Sequence, residues 1–209
     1  MSQKVKILIL VVLHIVGVFG FSLSFVQPLF IKIVPLHLFI VTFVLFSSPE
    51  NFKPILPWFL FIASFIGLAS EWLGVNYGLL FGNYSYSSGL GPALQGVPWV
   101  IGVLWAGLAL ASNDLVGFVV KKENVFINAF LAASIMCTFD YLLEPFAIKY
   151  GLWQWSGGVI PLYNYICWWL IGFVICLIYQ MYFKSSKQIA SLYYIGAQAL
   201  FFIIVLLIN

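Results

Sequence analysis

EWLGVNYGLLFGNYSY, residues 71–86, closes a long apolar run with a carboxylate and then a cluster of Gly, Asn and Tyr. A second stretch, DYLLEPFAIKYGLWQW at 140–155, echoes it. Glu71 is followed ten residues on by Phe81-Gly82, and Asp140 ten residues on by Tyr150-Gly151. FGNYSY then aligns with YGLWQW as aromatic, Gly, variable, aromatic, polar, aromatic. A proline heads the apolar run after each, Pro98 or Pro161, and a tryptophan stands seven residues later, Trp105 or Trp168. The offset reads as two copies of one helical hairpin, hairpin A at 55–120 and hairpin B at 125–183. Both hairpins enter from one side, so the repeats are parallel and related by an axis along the membrane normal.

Composition places these hairpins in a bilayer. Hydrophobic residues make up 64% of the 209, and charged residues only 7%, against about 25% charged in an ordinary soluble domain. The expectation is an all-α, polytopic integral membrane protein forming one transmembrane domain, 1–209. Seven apolar runs approach the ~20 residues that cross a bilayer: 5–25, 29–46, 55–73, 97–120, 125–148, 160–183 and 189–208. Helices 1 and 2 occupy 1–54 and helix 7 occupies 189–208. The first run is too long for a signal peptide and lacks a small-residue cleavage site, so it is read as a helix.

Alternating the spans sets Lys4, Lys6, Lys53, Lys121, Lys122, Lys184 and Lys187 on one side and Lys32 and Lys149 on the other. Positive charge collects on the cytoplasmic side. The N-terminus is therefore expected inside and the C-terminus outside a bacterial cytoplasmic membrane. The loops near 74–96 and 149–159 then share the outer side. Glu50, Asp114 and Glu123 fall toward the inner side and read as solvated loop or helix-end charges.

The other three acids gather at the outer ends of helices 3 and 5. Pseudo-symmetry sets Glu71 and Asp140 at equal depth, facing one another across the axis. Glu144 stands one helical turn beyond Asp140, on the same face. Pro145 follows it and predicts a bend or an end to the helix there. Ionisable groups at membrane depth are costly and usually functional. Crowded carboxyls at low dielectric cannot all ionise, so one is expected to keep a proton near neutral pH and serve as an acid. Aromatic faces attract cations. Acid, base and aromatic lining together suit protonation of an apolar alkene. Asn76, Asn83, Gln95, Gln154 and Asn164 are candidates for a supporting polar network.

Absences narrow the chemistry. Two histidines, His14 and His37, cannot furnish the imidazole clusters of a di-iron membrane oxygenase. Helix 7 has no lysine for a retinal Schiff base. No phosphate-binding loop suggests a nucleotide, and the lack of Arg argues against bidentate anion clamps. No basic stripe suggests nucleic acid. Cys137, Cys167 and Cys176 sit in apolar runs without metal-ligand spacing and read as small buried hydrophobes. No cofactor or metal is called for. SSGLG at 87–91 reads as a plain flexible loop.

EWLGVNYGLLFGNYSYSSGLGPALQGVPW, then DYLLEPFA, then GLWQWSGGVIPLYNYICWW together resemble the carotenoid biosynthesis protein family over roughly residues 67–172. That family includes carotenoid 1,2-hydratases acting on bisanhydrobacterioruberin or gamma-carotene. Where it commonly has an Asp-Pro pair, this chain has Glu144-Pro145, which keeps the acid and changes its reach. The resemblance implies a membrane-dissolved carotenoid of the lycopene or gamma-carotene class and water as reactants. A carboxyl would protonate C2 of the terminal C1=C2 bond, and water would capture the tertiary cation. Asp140 and Glu71 would be the acid/base pair, unassigned as to which is which, with Glu144 in support. Tyr84, Tyr86, Trp153 and Trp155 would line the cation site, and Asn164 would orient a carboxyl or the water. Association with other carotenoid enzymes would follow from such a role. A lycopene-cyclase-like enzyme and a non-enzymatic carrier of apolar ligands remain as alternatives.

Overall fold

The structure is a computed structural model that describes residues 1–47, 56–120, 124–183 and 187–209. Lys53, Lys121, Lys122, Lys184, Glu50 and Glu123 lie outside the described residues. Seven helices form: α1 Gln3–Ser22, α2 Gln27–Phe46, α3 Leu56–Tyr77, α4 Trp99–Val119, α5 Val125–Lys149, α6 Leu162–Tyr182 and α7 Ile189–Ile208. Each is long and apolar enough to cross a membrane, and the protein is an integral membrane protein. Leu8, Phe19, Phe43, Phe61, Phe65, Phe130 and Leu200 point their side chains outward. In water that surface would aggregate; in lipid it is the expected exterior.

Helix α4 is the hub. Nearly every residue from Val100 to Asp114 is buried. Its small residues let neighbours approach closely, the usual device where lipid supplies no hydrophobic drive between helices. A Cβ at Gly102 would stand 2.8 Å from Leu68 Cδ1. On α3, a Cβ at Gly67 would overlap the Trp105 ring. These two glycines seat α3 directly against α4.

Asp114 corrects a sequence expectation. It is fully buried and is not a solvated helix-end charge. Its Oδ2 accepts from Ser191 Oγ at 2.7 Å and Gln188 Nε2 at 3.4 Å. Lys6 is buried beside this knot, donating to Leu45 O at 2.8 Å and Gln188 Oε1 at 3.0 Å. Burying a charge is tolerable only with such partners. The knot ties α1, α2, α4 and α7 together at the N-terminal end of the bundle. Amphipathic spacing carried no sign of it, because its members come from four separate runs.

The opposite end carries the loops. Four short strands form there: β1 Tyr84–Tyr86, β2 Ala93–Leu94, β3 Val97–Pro98 and β4 Trp153–Trp155. β2 pairs with β3, and β1 pairs antiparallel with β4 in the register Tyr84↔Trp155, Ser85↔Gln154, Tyr86↔Trp153. That register is reciprocal: under the sequence offset Tyr84 corresponds to Trp153 and Tyr86 to Trp155. Trp105 and Trp168, also offset-related, stack with ring centroids 3.8 Å apart and planes at 9°.

Two further expectations fail here. Residues 87–91 are not a plain flexible loop: Ser88–Leu90 form a 3-10 turn, and Leu90 is buried. Of the bend or end expected at Pro145, the end does not occur: helix α5 runs on to Lys149. Phe146, just past the proline, packs on Phe21, Phe201 and Phe202 at centroid distances of 5.1–5.2 Å. This packing outweighs the local preference for a break.

Candidate functional site

The strand pleat explains how four aromatics reach two acids. Residues i and i+2 of a strand share a face. Tyr84 and Tyr86 therefore project together, as do Trp153 and Trp155, while Ser85 and Gln154 face away and are exposed. Tyr84 and Tyr86 donate their hydroxyls to Glu71 Oε2 at 2.5 and 2.8 Å. Trp105 Nε1–H donates to Glu71 Oε1 at 3.2 Å. Trp153 and Trp155 donate their indole N–H groups to Glu144 Oε2 at 3.0 and 2.8 Å. Asp140 accepts one bond, from Asn164 Nδ2 to Oδ2 at 2.9 Å. All three acids and Asn164 are at most 2% exposed.

These groups converge on one pocket. Glu71, Asp140, Glu144, Tyr84, Tyr86, Trp153, Trp155 and Asn164 all line it. Every site residue expected from the sequence is thus brought together. No basic side chain is among the lining residues, so the carboxyls face one another without a cation between them. The volume is about 20 Å³. A polar cavity holds a water once it exceeds roughly 10–15 Å³, so the pocket has room for a water and little more.

Burial, followed by the charge on Glu71, pushes the Tyr84 and Tyr86 hydroxyls well above their ordinary range. Both stay protonated at any working pH and can act only as donors to the carboxylate. Three hydrogen-bond donors meet on Glu71 and two on Glu144. Asp140 has the fewest donors of the three.

The equivalence of the acids differs from the sequence offset. The offset matches Glu71 with Asp140. By hydrogen bonding, the counterpart of Glu71 is Glu144, since each collects both donors of one strand. The reason is helix length: α3 ends seven residues before β1, whereas α5 ends four residues before β4. The extra turn of α5 lowers Glu144 to the strand and leaves Asp140 one turn deeper, on Asn164.

Four of the five residues considered for a supporting polar network lie outside the pocket. Asn76 donates to Trp72 O and Gln95 O, and Gln95 Oε1 accepts from Trp72 Nε1–H, in an exposed cluster outside the pocket. Asn83 and Gln154 are exposed and do not line it. The sequence reading missed Phe81 and Trp168, which line it, and Trp105, which donates to Glu71. Trp105 and Trp168 were visible as the repeated proline-plus-seven tryptophan but had no assigned place. Phe81 holds φ = +63°, a left-handed conformation unusual for a bulky residue, with its N–H donating to Cys167 Sγ at 3.4 Å. This wall places its ring at the pocket face, and only the Gly82 neighbour hinted at the turn.

Below the pocket lies a larger, almost wholly apolar chamber of about 170 Å³, which shares Ile101, Leu104, Leu143 and Trp153 with it. Within a bundle of seven helices long and apolar enough to cross a membrane, a small acid pocket thus shares a wall with an apolar chamber.

Residues 30–209 match the family described as carotenoid biosynthesis protein, and the chain belongs to that family. Among curated proteins it is 29% identical over 124 residues to the bisanhydrobacterioruberin hydratase of Haloarcula japonica, covering 56% of this chain and 42% of that relative. The chain thus aligns with less than half the length of that protein. No solved structure matches it.

Proposed function

We propose that this protein is a carotenoid hydratase, adding water across the terminal C1=C2 bond of an acyclic carotenoid end group. The observation that carries the reading is the water-sized pocket walled by three buried carboxyls and four aromatic donors, sharing a wall with an apolar chamber. Membership of the carotenoid biosynthesis family and likeness to a hydratase support it.

The end group enters through the chamber, leaving the rest of the polyene in lipid. Asp140, with a single donor on it, holds the transferable proton and gives it to C2. The electron pair of the double bond forms the new C–H bond, and C1 becomes a tertiary cation. The rings of Trp153, Trp155, Tyr84 and Tyr86 surround that charge with π-faces, each able to contribute ~0.5–2 kcal/mol when desolvated. The carboxylates of Glu71 and Glu144 add full negative charge. A water held between them attacks C1 and releases its proton to Glu71. Return of that proton to Asp140 by way of water restores the site. One water is consumed, and carbon is neither oxidised nor reduced overall, so the reaction itself requires no oxidant. Room for a water beside the carboxyls favours hydration over capture by a second double bond.

We place the loop end of the bundle on the outer face of a bacterial cytoplasmic membrane, with the N-terminus inside, on the distribution of lysines. We read the two hairpins as an internal duplication; the reciprocal strand register and the Trp105–Trp168 stack support it. The test is expression in a bacterium making lycopene or gamma-carotene, with the pigments analysed by mass. Gain of one water is the expected result. An isomer of unchanged mass would make the protein a cyclase, and unchanged pigment would leave a non-enzymatic carrier.

A further inference from the structure

The apolar chamber contains a polar group that the hydration reaction does not use. His14 on α1 is 4% exposed and lines the chamber. Its Nδ1 lies 2.6 Å from Leu10 O. A carbonyl oxygen only accepts, so Nδ1 carries the hydrogen and Nε2 is left as a bare lone pair. Nε2 is buried with no hydrogen-bond partner among the described residues. Leaving such an acceptor unmatched costs the desolvation of that group, and buried unpaired groups call for a specific explanation. The ring is fixed in place: it packs edge-on against His37 at 4.9 Å and Phe201 at 6.1 Å.

Position and surroundings say what would match it. Phe139, Phe146, Phe201 and Phe202 line the chamber with His14, and their neighbouring rings have centroids 5.1–5.6 Å apart. The chamber is open between α1 and α2, where the lining residues Val16 and Ile33 are themselves 48% and 36% exposed. It is smaller than the ~300 Å³ that a drug-sized ligand fills. It therefore takes a stretch of a longer molecule whose remainder lies in the bilayer. An acceptor lone pair needs a donor; a carbonyl or ether oxygen would only oppose it.

We infer that the chamber holds the apolar chain of the ligand and that His14 Nε2 accepts a hydrogen bond from a hydroxyl on that chain. The protein thereby distinguishes a polyene alcohol from the corresponding hydrocarbon at a place separate from the carboxyls. The ligand class rests on the hydratase reading, but the site is tested by binding and needs no turnover.

The probes are an acyclic C40 polyene hydrocarbon, the same chain with one tertiary hydroxyl, and the methyl ether of that alcohol. Each is titrated onto the detergent-solubilised protein, with quenching of tryptophan fluorescence as the readout. The wild type should bind the alcohol about five- to tenfold more tightly than the ether. His14→Phe keeps the ring and removes the lone pair; it should erase that preference and leave hydrocarbon binding unchanged. His14→Gln, which offers an acceptor oxygen, should retain part of it. Equal binding of alcohol and ether by the wild type would overturn the inference and assign the lone pair to a resident water. A preference that survives in His14→Phe would also overturn it, since the hydroxyl would then be read at the carboxyls. Either result leaves the hydratase reading standing, which fails only if no water is gained by the pigment.

Discussion

Asp140→Asn separates the chemical role of this side chain from its structural one. Asparagine has nearly the same shape, and its Oδ1 can take the bond that Asn164 Nδ2 now gives at 2.9 Å. Because the carboxyl that holds the proton is already neutral, the amide replaces one neutral acceptor with another, and the bond should change by less than about 1 kcal/mol. The unfolding temperature in detergent should therefore move by only a few degrees. The chemistry should suffer far more, because the amide has no proton to give. Loss of a positioned general acid costs about 10²–10⁴-fold, or ~3–5 kcal/mol on the barrier at 1.36 kcal/mol per tenfold. Glu144→Gln provides the contrast. The amide oxygen can accept from Trp153 and Trp155, so the strand stays in place and the loss should be near tenfold, from the missing charge alone. The assay is conversion of solubilised carotenoid by equal amounts of folded variant, separated chromatographically. Activity of Asp140→Asn within about threefold of wild type would refute its assignment as the proton donor.

Three other variants test the support around the acids. Gly67→Ala puts a methyl group where the Trp105 ring stands, so it should turn Trp105 away from Glu71 and Trp168 and cut conversion at least about tenfold; wild-type conversion would show that the stack is dispensable. Tyr84→Phe with Tyr86→Phe strips two of the three donors from Glu71 and should lower conversion by about 10²-fold with the protein still folded, as read by conversion and melting together. Ser191→Ala removes the 2.7 Å bond to buried Asp114 at the other end of the bundle; it should cost ~1–3 kcal/mol of stability by thermal melting and leave the turnover of folded protein unchanged.

Much of this site was legible because a membrane protein spends charge sparingly. With only six acids in the chain, three grouped beside aromatic residues stood out. The alternation of Tyr84-Ser85-Tyr86 and Trp153-Gln154-Trp155 already had the period of a strand. Pairing those strands across the two hairpins needed tertiary structure. So did the exchange of partners that sets Glu144, in place of Asp140, opposite Glu71: it depends on the extra turn of α5, and Pro145 locally argued against that turn. The buried Lys6–Gln188–Asp114 knot was hidden for a related reason. Each member sits near the end of an apolar run, where a charge normally reaches solvent, and only the packing of four helices closes over them. His14 stands among apolar residues in the sequence, and its unmatched Nε2 is a property of three-dimensional surroundings alone.

The most direct test of the account is the origin of the oxygen in the product. Purified protein should be given an acyclic carotenoid in heavy-oxygen water, under nitrogen, and the product analysed by mass and fragmentation. The account predicts a tertiary alcohol at C1 whose oxygen carries the solvent label. An unlabelled hydroxyl, or a requirement for dioxygen, would contradict proton transfer and water capture in the carboxyl pocket.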